Sequence, residues 1–406
     1  MSPARRFEAL VAAERYSDAL EIAHRYLRHL PTSPGALGDA GHCYLKLEQW
    51  EDARAYALKA YAIAPNNFRT LDTLAHACGA MQRWDEVRRY GRLALELRDH
   101  RFGAIPPRLA PWRISPFASR NIIAFSLFGD DPRYCEPAVL NALEKPRLYP
   151  GWTCRFYVDD SVPQTVRTRL AAAGAELVKV DARIARWPGP MWRLAAYDDP
   201  TVARVLFRGA DSVISQREAN AVAEWTASDC SFHVIRDSAT HTELIGGGLW
   251  GARAGALPSV ADMIDAFLAR PVESIRFAEQ RFLREMIWPY VRRSLLQHDS
   301  RFGFGAHRPF PDGPAMDDFH VGCAESAAAF TASYPAPDGT RVEWCVLRGR
   351  ESDAQLVCAW PGSVYRGQVL AHIPQRYRRA IERSDWSMRI IPRDMHGSEP
   401  GPNPNS

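Results

Sequence analysis

The run Leu206-Phe207-Arg208-Gly209-Ala210-Asp211-Ser212 ends an apolar strand abruptly in a basic residue, a glycine and a lone carboxylate. In an open parallel sheet, ligands bind outside the carboxyl ends of the strands, so this turn and segment 126–130 are expected to converge on one crevice. The bland alternative for Asp211 is a turn carboxylate capping the helix entered at Ser215, since Asp is a common turn residue. The glycines of Gly246-Gly247-Gly248-Leu249-Trp250-Gly251 let backbone approach a ligand closely, although a bulged strand or flexible loop would carry them too. Glu279 and Gln280 fall in the first turn of a helix with the buried stripe Phe282, Leu283, Met286 and Ile287. There the positive end of the helix dipole suits a carboxylate, with or without a ligand. His241 and Glu243 precede the glycines, while His298, Asp299 and His320 follow; any single histidine is more often a packed structural residue than a ligand.

These residues need a sheet beneath them. Residues 122–128 form a continuous apolar, β-favouring run, as expected of a strand buried on both faces, and 154–158 form a second. Val162, Val166, Leu170 and Ala173 make a helical stripe that stops at Gly174, and 177–180 reads as another strand. Residues 154–180 are thus a βαβ unit, and the central region is parallel α/β. Ser215 and Glu218 form a capping-box signature for a helix to about Trp225. Val260, Met263, Ile264, Phe267 and Leu268 mark another behind Pro258-Ser259. Beyond residue 313, 341–347 and 355–359 alternate as short strands with a helix near 375–382, a small α+β module in which no chemistry is evident. The last dozen residues, rich in Pro, Gly, Ser and Asn, predict a disordered tail.

Before the sheet lies a repeat. Tyr16, Trp50 and Trp84 are spaced by 34, each followed by an acid and a small apolar residue: Asp18-Ala19, Asp52-Ala53, Glu86-Val87. Gly41, Tyr44, Ala53, Ala60 and Pro65 fall where a tetratricopeptide repeat wants a packing residue, an aromatic knob and a terminating proline. Pro31 precedes Pro65 by the same interval, whereas the third repeat has Asp99 there. About three helical hairpins over residues 5–100 follow, serving either as a partner-docking groove or as a packing platform for the next domain. Prolines between residues 105 and 119 predict a linker, so that 113–406 would be separately soluble. The expected division is repeats at 1–102, linker at 103–119, an α/β domain at 120–312, the small module at 313–393 and the tail at 394–406.

With 51 Lys and Arg against 47 Asp and Glu, the 406-residue chain carries a formal charge of +4. This mild excess does not point to nucleic acid. No stretch approaches the roughly 18 apolar residues of a membrane span, and the first residues lead into an amphipathic pattern, so a cytoplasmic protein is expected. Eight cysteines are scattered without Cys-x-x-Cys pairs, which reads as reduced, mostly buried thiols.

Residues 122–310 resemble the nucleotide-diphospho-sugar transferase fold of type A. The resemblance rests on Tyr149-Pro150-Gly151-Trp152, Phe156-Tyr157-Val158-Asp159-Asp160, Trp192-Arg193 and the 208–212 turn. Further on it rests on His241-Thr242-Glu243-Leu244, the glycine cluster, and Glu279-Gln280-x-Phe282-Leu283. This order, coupled to tetratricopeptide repeats, is similar to that of bacterial glycosyltransferase-like proteins. The resemblance implies a mostly parallel sheet with helices on both faces and metal-assisted transfer from a nucleotide sugar, a uridine one by preference. The acceptor would be a carbohydrate, a lipid-linked group or a protein. It implies Asp211 as ligand to Mn²⁺ or Mg²⁺, with His298 or His320 completing the set, and Arg208 and Arg193 against the diphosphate. Phe125, Ser126 and Phe128 would face the base, Gly247 and Gly248 the sugar, and Glu279 and Gln280 its hydroxyls. Glu243 and Glu279 would be the candidate bases of an inverting reaction. Gly209 stands where relatives carry the first Asp of an Asp-x-Asp pair, so the alternative is a transferase-like interaction protein with impaired catalysis. A repeat-coupled transferase acting on Ser and Thr with N-acetylglucosamine would need two Rossmann-like domains, and about 190 residues accommodate one.

Overall fold

The computed structural model describes residues 3–104, 114–271, 275–313, 319–326, 329–349 and 354–392. The proline-rich core of the expected linker and the expected tail lie outside the described residues.

Six helices come first: α1 (Pro3–Ala12), α2 (Tyr16–His29), α3 (Pro34–Lys46), α4 (Trp50–Ile63), α5 (Phe68–Ala80) and α6 (Trp84–Gly103). The 34-residue period sets their ends. Tyr16, Trp50 and Trp84 each begin a helix, and Glu14, Glu48 and Gln82 before them all take left-handed φ, at 57°, 59° and 56°. Ser33 caps α3 by accepting from the Ala36 N–H, and Asn67 caps α5 by accepting from Arg69 and Thr70. Whereas α2 and α4 stop after 14 residues, just ahead of Pro31 and Pro65, α6 runs for 20. Proline's place there is taken by Asp99, which neither removes a backbone donor nor clashes with the preceding turn.

The next strands and helices are β1 (Arg120–Leu127), α7 (Pro132–Leu148), β2 (Trp152–Val158), α8 (Gln164–Ala172), β3 (Glu176–Lys179), β4 (Val202–Arg208), α9 (Gln216–Ala227), β5 (Phe232–Arg236), β6 (Leu249–Arg253), α10 (Val260–Leu268), α11 (Ala278–Phe282), α12 (Trp288–Val291) and β7 (Leu295–Asp299). A 3-10 segment, Gly189–Asp198, precedes β4. The strands make one sheet in the order β3-β2-β1-β4-β6-β5-β7, parallel except where β6 runs against β4 and β5. Period-two alternation splits the core in two. Ile122 and Ala124 of β1 and Phe207 of β4 join one cluster with the 3-10 segment, α10, α11 and α12. Ile123, Phe125 and Leu206 join a second, with α7, α8 and α9.

The first cluster also contains Leu71, Leu74, Cys78, Val87 and Leu95 of the repeats. A Cβ on Gly91 would lie 2.2 Å from the Phe302 ring, and one on Gly79 would lie 2.3 Å from the Ala239 methyl. Asp99 accepts from the Trp288 indole N–H at 2.8 Å and pairs with Arg292 at 3.0 Å. The repeats and the sheet therefore share one core. Repeat side chains thus complete one of the two cores of the sheet, a contact that the expected division at the linker did not include.

β8 (Phe330–Ser333), β9 (Arg341–Arg348), β10 (Gln355–Tyr365), β11 (Gln368–Ala371), α13 (Gln375–Glu382) and β12 (Trp386–Pro392) follow. Their strands form an antiparallel sheet in the order β12-β9-β10-β11-β8. It docks on α7 around the fully buried Glu136, which accepts from Arg169 at 2.6 and 2.8 Å, Trp360 at 2.9 Å and Tyr377 at 3.2 Å. Residues 319–326, read from sequence as part of this module, return over the sheet: the Glu325 N–H donates to the Asp211 carbonyl at 2.8 Å. Six of the eight cysteines are buried, and no disulfide joins any of them. Among the described residues no helix is long and apolar enough to cross a membrane.

Candidate functional site

After β2 and β3 the chain returns to the other side of β1 as β4, so the strand order reverses between the carboxyl ends of β1 and β4. A crevice is expected at such a switch point. Ser126, near the end of β1, donates its hydroxyl to the Pro190 carbonyl at 3.2 Å and accepts the Arg193 N–H at 2.9 Å, which holds the 3-10 segment over the strand end. Arg193 is buried and donates from Nη2 to Glu279 Oε1 at 2.6 Å, bringing the helix start at residue 279 to the same place. A Cβ on Gly247 would meet Glu279 Oε2 at 2.5 Å and Arg193 Nη2 at 3.1 Å. Gly248 touches the β4 turn so closely that its Cβ would lie 2.6 Å from the Gly209 nitrogen. Ser126, Arg193, Gly209, Gly247, Gly248 and Glu279 thus form one connected constellation.

Asp211 lies on this turn, near enough to feel the Arg193 charge. Burial pushes its carboxyl above the ordinary carboxylate range, while backbone N–H groups and Arg193 pull it back in part. Burial likewise raises Glu279 against the pull of Arg193. Two buried polar atoms here have no partner among the described residues, Arg193 Nε and, on the residue after Glu279, the Gln280 carboxamide Oε1. Gln280 donates its amide to the Ile245 carbonyl at 3.3 Å, so its orphan acceptor stands beside the glycine turn. Orphaned buried groups of this kind call for an explanation, and a ligand is one.

Other expected site residues are placed elsewhere. Phe125 is fully buried and stacks on Phe156 at 4.6 Å, because odd-numbered β1 side chains point into the second core; it offers no face to a base. Phe128, beyond the strand, is 42% exposed and meets Trp192 edge-on at 5.3 Å, so it keeps a face to solvent past the end of β1. Arg208 shares the Leu206 face of β4 and turns beneath the sheet to Glu218, donating also to the Phe207 and Trp250 carbonyls at 2.8 and 2.9 Å. It does not reach the side of the sheet where Arg193 lies. Glu243 pairs with Arg98 of α6 at 3.3 Å and Arg284 at 3.6 Å, at the contact with the repeats.

The expected metal ligands do not assemble. His298 is fully buried against His233 at 2.9 Å and Glu224 at 3.2 Å. His320 sits edge-on to His241 at 5.0 Å, with Nδ1 on the Val321 carbonyl at 3.0 Å. Among the described residues no three His, Cys, Asp or Glu side chains form a group that could hold a metal ion. Asp211 alone is a poor donor set for Mg²⁺ or Mn²⁺, which want about six oxygens. The described residues do not fit a protein-built divalent-ion site. Arg98 and Arg284 were not legible as important from spacing; the available signal was the pair of helical glycines, Gly79 near the end of α5 and Gly91 within α6, which mark close packing.

The tetratricopeptide repeat family matches residues 10–69. Among solved structures the chain is similar to the Sgt2 TPR domain from Aspergillus fumigatus, at 22% identity and a TM-score of 0.22 over 23% of this chain and 62% of that one. It is also similar to a mutant O-GlcNAc transferase from Thermobaculum terrenum, at 17% identity and a TM-score of 0.24 over 44% of this chain and 42% of that one. The chain thus spans less than two thirds of either. No curated protein matches it.

Proposed function

We propose that the crevice between β1 and β4 binds a nucleotide sugar, a uridine one by preference, and that the protein transfers the sugar to a carbohydrate, lipid-linked or protein acceptor. The observation that carries this reading is the pair of orphaned buried groups, Arg193 Nε and Gln280 Oε1, beside two glycines at the switch point of the sheet. In this reading Arg193 faces the diphosphate and takes up charge as the anomeric carbon–oxygen bond to phosphate breaks. Gln280 accepts from a donor-sugar hydroxyl, and Phe128 stacks on the base. Asp211 or Glu279, both raised in proton affinity by burial, receives the proton of the acceptor hydroxyl as its oxygen bonds to the anomeric carbon. The buried thiols of Cys43, Cys78, Cys135, Cys154, Cys345 and Cys358 suit a cytoplasmic setting.

A second reading is a transferase-like interaction protein. It is favoured by Gly209 and by the lack, among the described residues, of a three-ligand metal group. Calorimetric titration of the purified protein with nucleotide diphosphates and nucleotide sugars, with and without manganese, separates these readings. Binding followed by donor turnover supports transfer; binding without turnover, or no binding, supports the second reading.

A further inference from the structure

We propose that Arg98, a residue of the repeats, is a positioning residue for the crevice, which makes the repeat domain part of the site's machinery. The proposal rests on the nucleotide-sugar reading and adds the coupling. Arg98 is 1% exposed on α6 and forms a fork with Asp72 of α5, donating from Nη1 and Nη2 at 2.9 and 2.6 Å. The same Nη2 reaches Glu243 Oε1 at 3.3 Å. Glu243 stands four residues before Gly247, whose Cβ position is filled by Glu279 and Arg193.

The intervening chain has no regular structure and depends on side-chain ties. Arg236 caps the Glu243 and Leu244 carbonyls, and Gln280 holds that of Ile245. The Arg98 fork is a tie that comes from another domain. An arginine fork has fixed geometry, so the spacing of α5 and α6 sets where Glu243, and after it the glycine turn, can sit. Anything that docks on the repeats and alters that spacing therefore biases the crevice.

The test uses the full chain with Arg98→Met, Arg98→Lys and Glu243→Gln, with Arg54→Met as control. Arg54 pairs with Glu86 at 2.7 Å within the repeats and so reports simple loss of an ion pair. Hydrogen exchange at residues 244–250 should accelerate about tenfold in Arg98→Met and Glu243→Gln, be partly restored by lysine, and remain unchanged in the control. Affinity for UDP should fall about tenfold in the same two variants. Exchange at 244–250 equal to the control overturns the proposal, and Arg98→Lys decides it if Arg98→Met does not fold, since Glu243→Gln also removes the Arg284 pair. Wild-type protein that fails to bind UDP rejects the nucleotide reading, while the exchange result still decides the coupling.

Discussion

Arg193 Nη2 donates to Glu279 Oε1 at 2.6 Å while its Nε has no partner among the described residues, so one guanidinium is half committed to the protein and half available. If the pair served folding alone, removing either partner would leave a buried charge exposed to the same penalty. If Arg193 faces an anion, the two changes diverge. Arg193→Met is expected to weaken UDP binding about 10- to 100-fold, the value of a charged hydrogen bond. Glu279→Gln should preserve or tighten it, because the competing carboxylate charge is gone. Calorimetry on both variants checks this; equal losses would make the pair structural.

Gly247 and Gly248 are neighbours with different obstacles. The Cβ of Gly247→Ala meets the far end of the Glu279 side chain, which can swing away, whereas that of Gly248→Ala meets the Gly209 backbone, which cannot. Gly247→Ala should therefore cost about 1 kcal/mol or less, and Gly248→Ala about 1–3 kcal/mol. Urea denaturation distinguishes them. The glycine run was legible as a place of close approach, but the approaching group at Gly248 is the protein's own β4 turn.

Legibility followed locality. The 34-residue period was readable because Tyr16, Trp50 and Trp84 repeat the same helix start, and the βαβ unit because its stripes are contiguous. Asp99 was readable only as a missing proline; that α6 runs on to meet Trp288 is a contact made 189 residues away. Arg208 looked like a crevice residue because it follows a strand, yet strand alternation sends it under the sheet to Glu218. The crevice residues that do converge, Ser126, Arg193 and Glu279, come from three separate segments whose meeting depends on strand order, which no local pattern encodes.

The shared core makes Gly91 a sensitive position. Alanine in a helix interior normally gains up to about 1 kcal/mol over glycine. At Gly91 the added methyl would enter the Phe302 ring, so Gly91→Ala should instead lower stability by about 1–3 kcal/mol. Gly35→Ala, near the start of α3 with nothing within 4 Å of its Cβ, should gain about 0.5 kcal/mol. Thermal melts of both test the contact, and a stabilised Gly91→Ala would show that the repeats can part from the sheet.

The His233–His298 pair sets an acid limit on the fold. His233 is fully buried between Trp225, stacked on its ring at 5.7 Å, and His298 at 2.9 Å. Burial, then His298 and Arg208, hold its pKa well below the ordinary 6.5, and burial also lowers His298 although Glu224 opposes it. For groups whose folded pKa is depressed, the unfolded chain binds more protons below 6.5. Their contribution is therefore complete above that value and is lost as pH falls through the folded pKa values. Each proton so excluded steepens the loss by about 1.4 kcal/mol per pH unit, and the two rings titrate as a pair. His233→Gln removes one titrating ring. Urea midpoints between pH 7 and pH 4.5 should fall more steeply for the wild-type chain than for His233→Gln, and parallel curves would mean that the pair is not what limits stability in acid.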